Sequence, residues 1–406
     1  MKNDLLIILF LALWLPSFGQ TIDDSKRIVT QEEIAAGICY YSPNHLREGR
    51  PNKKAFTKLG TPRQAEASKT TAVTALGSAS NVFTILNAEQ NQVFASDTLT
   101  TVGFIHRNNA GLFGGNSGSQ RFDLSIDGGG TFCTDVGILN PMSSTIARYP
   151  NAAIYNPIGN VYPSSATVIG SAPTVGASLW DGQVDFAVSF DCNSPTILDE
   201  QVGQSYLGQR NSGGFCEGLH GEFWSTFVER TSGDSAIIHV FKRSAGGYPM
   251  SIQSSGNIVL SLSTARTPVL STNIAFSPDG SVGYIATLTD LAGGQDSVLH
   301  PVFMKTTDNG ATWSSPAGVD FSNFPWIRDT LQTLWETSPG VPASFGIATT
   351  GFDFDLTVDF FGNPHLAVVI GSLPWRNEYT IASSLAKFLG DVHSTDGGQT
   401  LSLIHI

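Results

Sequence analysis

The sequence predicts an all-β protein, a β-propeller of four-stranded blades, with about five blades present and six or seven expected in the intact protein. Two repeats and one absence carry this reading. The first repeat is a turn, Ser125-Ile-Asp127-Gly-Gly129-Gly-Thr131-Phe132, Thr306-Thr-Asp308-Asn-Gly310-Ala-Thr312-Trp313 and Ser394-Thr-Asp396-Gly-Gly398-Gln-Thr400-Leu401. The second is an alternating strand that runs into a Gly-Asn or Gly-Ser turn, at residues 153–160, 274–281 and 356–363. Helical periodicity is almost absent. From about residue 81 short β-type runs alternate with Gly, Asn, Asp and Pro, which is the pattern of short strands joined by tight turns.

Each element follows from its residue types. In the first repeat the Asp carboxylate and the Ser/Thr hydroxyls bond turn backbone groups, Gly supplies a positive φ, and the final aromatic packs back into the sheet. Leu401 takes the aromatic position in the third copy. The second repeat is a half-buried strand entering a hairpin. Gly280 precedes Gly310, and Gly362 precedes Gly398, by enough residues for two further strands, so one unit spans about 40–50 residues, the length of a propeller blade. Five such units fall near 81–140, 145–200, 215–268, 270–320 and 345–406. The third shows neither signature clearly, and residues 325–343 look inserted. Residues 21–80 are polar and read as a leader or irregular first segment, leaving 81–406 as the propeller.

The three Ser/Thr-x-Asp-x-Gly-x-Thr-aromatic turns resemble the Asp-boxes, or BNR repeats, of the sialidase-like β-propellers. The likeness covers about residues 81–406. Phe18-Gly-Gln, Arg148-Tyr-Pro-Asn-Ala-Ala-Ile-Tyr and Gly362-Asn-Pro-His-Leu-Ala resemble phrases of propellers exported by Bacteroidetes. That resemblance implies type IX secretion to the cell surface, although no C-terminal sorting domain is visible. It also implies structural roles for Ser125, Asp127, Gly129, Thr131, Phe132, Thr306, Asp308, Gly310, Thr312, Trp313, Ser394, Asp396, Gly398 and Thr400, because Asp-boxes lie on outer turns away from the central mouth.

The ends and the cysteines set the address. Met1-Lys2-Asn3-Asp4, the apolar run Leu5–Leu15 and Pro16-Ser-Phe-Gly-Gln20 describe a secretory signal peptide over residues 1–20, so the product is expected to be secreted or at the cell surface, with no membrane span after cleavage. Leu401-Ser-Leu-Ile-His-Ile406 resembles a translated sequencing adapter, and native sequence is expected to end near Thr400. An oxidising compartment permits two disulfides among Cys39, Cys133, Cys192 and Cys216. Cys192 and Cys216 are the expected bridge, since they flank one polar connection.

Composition excludes some partners. The 406 residues carry 22 Lys+Arg against 34 Asp+Glu, a net charge of −12, which argues against nucleic acid or an anionic membrane. The low charged fraction, 14%, and Gly/Asn/Ser-rich loops suit neutral polar ligands such as a glycan, or a cell-surface protein. No zinc spacing, P-loop, dinucleotide fingerprint or nucleophile elbow occurs, so no metal and no cofactor is expected.

The chemistry-bearing candidates are scattered. Trp375-Arg376-Asn-Glu378-Tyr379 brings together the residue types of a sialidase site, Arg376, Glu378 and Tyr379, although neighbours on a strand point to opposite faces. The early Arg-Ile-Pro motif of sialidases is missing. Glu217, His220 and Glu222 beside Trp224 form a second cluster, and His106-Arg107-Asn108 ends a strand in a loop that can face a mouth. Asp353, Asp355 and Asp359 form one polar strand face, expected to meet solvent; on an inner strand they would line the channel. The leading expectation is a non-catalytic exported module for binding or adhesion, and the alternative is a sialidase-like exo-glycoside hydrolase.

Overall fold

A computed structural model describes residues 73–80, 90–176, 180–203, 214–231, 233–265, 267–270, 272–293, 298–336, 347–373, 387–398 and 400–405. The described chain is all-β and forms five four-stranded antiparallel sheets, each with its strands in sequence order. Blade 1 is β1 (Val93–Ser96), β2 (Thr101–Arg107), β3 (Gln120–Ser125) and β4 (Cys133–Val136). Blade 2 is β5 (Asn151–Tyr155), β6 (Thr167–Val175), β7 (Trp180–Ser189) and β8 (Ile197–Gly203). Blade 3 is β9 (Phe215–Glu217), β10 (Glu222–Arg230), β11 (Ser235–Ser244) and β12 (Ser251–Ser261). Blade 4 is β13 (Asn273–Phe276), β14 (Gly283–Thr289), β15 (His300–Thr306) and β16 (Ala317–Gly318). Blade 5 is β17 (Ile347–Val358), β18 (Pro364–Leu373), β19 (Lys387–His393) and β20 (Ser402–His405). The first strand of each blade packs beside the first strand of the next, β1 to β5, β5 to β9, β9 to β13 and β13 to β17, so these five are the innermost strands.

Apolar faces form the seams. Phe94, Ile105 and Phe122 of blade 1 pack on Ile154, Val168 and Phe186 of blade 2. Trp224, Ile238 and Val240 of blade 3 pack on Ile274, Ile285 and Met304 of blade 4, and Leu288 and Phe303 of blade 4 on Phe354, Leu366 and Val368 of blade 5. Each such side chain removed from water contributes about 1.5–3 kcal/mol. The seam between blades 2 and 3 is mixed. Ile169 and Ala187 meet Phe215 and Phe223, while Asp185 meets Arg243 in a buried ion pair.

The three Ser/Thr-x-Asp-x-Gly-x-Thr turns join third to fourth strands, and their bonding is the same three times. Asp127 Oδ1 accepts from Ser125 Oγ at 2.7 Å and Thr131 N at 2.8 Å, while Oδ2 accepts from Thr131 Oγ1 at 2.7 Å. Asp308 repeats this with Thr306 and Thr312, and Asp396 with Ser394 and Thr400. Gly310 (φ +73°) lies flat on the preceding blade, where a Cβ would come 2.3 Å from the Trp224 ring; Gly398 (φ +82°) meets Tyr284 in the same way, at 2.6 Å. The turns therefore lock blade to blade, and glycine is required by backbone sign and by contact together.

One expectation of the sequence reading is overturned, and others gain detail. Cys192 is bonded to Cys133, not to Cys216, which is a free thiol. The bridge ties the start of the last strand of blade 1 to the turn after β7, a proximity created by the stacking of two blades and invisible in a local connection. Within the stretch expected as an insertion, Pro325–Glu336 is a helix that buries Ile327 and Leu331 against blades 4 and 5. Part of the expected leader is docked: Gly77 N donates to Asp123 Oδ2 at 3.0 Å and Ser78 N to Asp135 Oδ1 at 2.9 Å, on blade 1. Leu401 packs partly buried against the blade 5 core, and Ser402–His405 pair with β19.

Candidate active site

Because successive strands alternate in direction, two kinds of connection share each end of the propeller. Second-to-third and fourth-to-first connections open on one face, the mouth; first-to-second and third-to-fourth turns, including those of Asp127, Asp308 and Asp396, lie on the other.

At the mouth of blades 1 and 2 two arginines and a tyrosine converge. Arg107 ends β2, is buried, and donates from Nε to Ser117 O at 2.7 Å and from Nη2 to Ser117 Oγ at 2.8 Å. The next residue of that loop, Gly118, lies against Arg148, so that a Cβ on it would fall 2.6 Å from Arg148 Nη1. Arg148 is fixed in turn. Its backbone N donates to Pro173 O at 2.9 Å and its Nη1 to Ala147 O at 2.8 Å. Tyr149 follows with φ +40°, a left-handed conformation that costs a non-glycine residue about 1–3 kcal/mol and is concentrated at functional sites. Its ring stands 5.6 Å from that of Trp180, tilted by 33°.

The electrostatics agree with this packing. Burial, and then repulsion from Arg148, holds the Arg107 guanidinium down to about 10, with Tyr149 acting in the opposite sense. Burial also lowers Arg148, again opposed by Tyr149. Both remain cations at neutral pH. The two guanidiniums are close enough to repel one another, and guanidinium is the group that matches carboxylate and sulfate oxygens in a planar, bidentate geometry.

The axis beside this site is polar. Asn91 donates from its backbone N to Asn151 Oδ1 at 2.7 Å and from Nδ2 to Phe215 O, linking blades 1, 2 and 3. Across the axis Asn273 Nδ2 donates to Asp355 Oδ1 at 3.1 Å. Asp353 and Asp355 are exposed and belong to β17, so the acidic row expected at an outer solvent face lies on an innermost strand. Asp359 instead caps the β17–β18 turn, accepting from the backbone N of Phe361 and of Asn363, each at 2.8 Å.

The other candidates separate. Arg376, Glu378 and Tyr379 lie outside the described residues. Glu217, His220 and Glu222 sit at the β9–β10 turn on the face opposite the mouth, and Glu222 is engaged by Lys242 at 3.0 Å and Asn309 at 2.7 Å. His106 is buried 3.4 Å from Asp123 within blade 1. Arg107 was legible as a loop residue and Arg148-Tyr149 as a phrase. Their meeting was not, because it depends on the connection into blade 2 folding back over the loop of blade 1.

No family model and no curated protein matches the chain. Solved structures do. A polysaccharide lyase of family 25, an ulvan lyase, is 10% identical over 80% of this chain and 71% of its own, with a TM-score of 0.43. An endo-arabinase from Bacteroides thetaiotaomicron is 11% identical over 78% and 99%, with a TM-score of 0.37. A family 93 α-L-arabinofuranosidase of Fusarium graminearum, solved with arabinobiose, is 13% identical over 59% and 63%, with a TM-score of 0.37. The chain thus spans 63% of the length of that arabinofuranosidase. At such identity the likeness concerns the fold, and no substrate is carried over. Against the expectation of a non-catalytic binding module, these structures are of glycoside hydrolases and a lyase.

Proposed function

We propose that the protein is a glycoside-cleaving enzyme that acts on an acidic glycan at the mouth of blades 1 and 2. The observation that carries this is the pair Arg107 and Arg148, joined through Ser117-Gly118 and followed at once by Tyr149 in a left-handed conformation. The guanidiniums bind the carboxylate or sulfate of one sugar unit. The Trp180–Tyr149 pair gives that unit an aromatic wall, and the Tyr149 oxygen, its proton passed to solvent water, is the nucleophile offered to the anomeric carbon. The departing sugar oxygen takes a proton from a carboxylic acid, and Asp353 and Asp355 are the innermost-strand carboxylates assigned to that role. Water then releases the sugar from Tyr149 and restores the acid.

Three identically bonded turns support membership of the Asp-box group, and the first twenty residues support export. Among the described residues no helix is long and apolar enough to cross a membrane. The test is turnover of fluorogenic sialosides and uronides by the purified protein, with Arg148→Ala and Tyr149→Phe. Native turnover that falls by about a hundredfold or more in both variants supports the assignment, given what transition-state charge contacts are worth; native turnover unchanged in both removes it.

A further inference from the structure

On the face opposite the mouth, the first-to-second strand turns of blades 1, 2 and 3 enclose a cleft that the proposed reaction does not use. Ser96 and Thr98 come from blade 1, Ile158 and Asn160 from blade 2, and Glu217 and His220 from blade 3. The polar wall is organised. Glu217 Oε1 accepts from Gly221 N at 2.7 Å and stands 3.4 Å from His220 Nδ1, and the His220 ring lies 5.6 Å from that of Tyr155, tilted by 36°. Gly221 (φ +79°) allows this, because a Cβ there would lie 3.2 Å from the Tyr155 ring. Glu217 and His220 keep 35% and 43% of their side-chain surface in solvent, so both are reachable.

We propose that this cleft is a second saccharide site, specific for a neutral sugar unit. Hydroxyls, side-chain amides, a carboxylate, an imidazole and aliphatic side chains line it, and no lysine or arginine does, so an anionic sugar finds no counter-charge there. A pyranose presents an apolar C–H face to the His220 ring, which Tyr155 backs, and donates neighbouring hydroxyls to the Glu217 carboxylate, while Ser96 and Thr98 supply hydroxyls from the facing blade. Burial, opposed by the Gly221 N–H and by His220, raises the Glu217 carboxyl, which suits a group that bonds hydroxyls and not cations. The site shares no residue with the mouth, so the inference stands apart from the proposed reaction.

The test is calorimetric titration of the full chain with neutral oligosaccharides of glucose, galactose, mannose, xylose and arabinose. At least one is expected to bind, with affinity reduced by about tenfold or more in Glu217→Gln and in His220→Ala, the worth of a hydrogen bond to a charged group. Thr98→Trp, which fills the cleft from blade 1, is expected to abolish binding. Arg148→Ala leaves it as it was, so failure of the mouth and failure of the cleft read differently. Absence of binding across the panel, or native affinity in all three cleft variants, overturns the proposal.

Discussion

Arg243 of blade 3 donates from Nε to Asp185 Oδ1 of blade 2 at 2.5 Å, with 1% and 7% of the two side chains exposed. Arg243 Nη1 also reaches Ser225 Oγ at 2.9 Å, and Gln183 bonds Ser225 at 3.2 Å. Removing one partner strands the other charge out of water. Arg243→Ala is expected to cost about 3–5 kcal/mol, measured by denaturant unfolding. A double change, Arg243→Met with Asp185→Leu, recovers most of that loss.

The glycines of the repeated turns differ in a testable way. Gly310 and Gly129 both have positive φ, but Gly310 presses on Trp224 whereas nothing lies within 4 Å of a Cβ at Gly129. Gly129→Ala is expected to show only the backbone penalty, about 1–2 kcal/mol. Gly310→Ala adds overpacking against a buried ring, about 1–3 kcal/mol more. Equal melting temperatures for the two variants contradict the blade-locking role of the turn.

Asp127 and Asp308 are held down to about 2, from 3.8, by the turn's own hydrogen bonds: for Asp127 the Thr131 backbone N–H leads, for Asp308 the Thr312 hydroxyl. A depressed folded-state value means that the ionised form stabilises the fold above 3.8 and that this contribution disappears as pH falls toward 2. The gap in melting temperature between the native protein and Asp127→Asn should therefore be constant near neutrality and close between those two values. A gap that widens on acidification refutes the sign.

The Cys133–Cys192 bridge closes a loop of 59 residues between two blades. Replacing both cysteines with serine is expected to cost about 2–4 kcal/mol without altering turnover at the mouth. Cys216 is expected to react slowly with thiol reagents, because burial pushes its thiol well above the ordinary value.

The blades were legible where a local pattern repeats. Asp127, Asp308 and Asp396 mark three third-to-fourth strand turns, and the alternation around Ile274 and Leu356 marks two innermost strands. Blade 3 lacks both marks, and its place had to be inferred from spacing. The helix Pro325–Glu336 was hidden because about three turns of helix with Ile327 and Leu331 as the buried pair offer too few apolar positions for the period to register. The site was legible only as parts. Arg107 and Arg148 belong to different blades, and Gly118 reads as an ordinary loop glycine until the second guanidinium is seen against it.

The central claim is that an acidic glycan is cut where Arg107, Arg148 and Tyr149 meet. Its most direct measurement is the release of reducing ends from sialylated and uronate-containing glycans by the native protein, Arg148→Ala and Phe361→Ser, the last an exposed turn residue on the opposite face. The account predicts release by the native protein and by Phe361→Ser, with almost none from Arg148→Ala. Cleavage of neutral glycans alone, or native rates in Arg148→Ala, would contradict it.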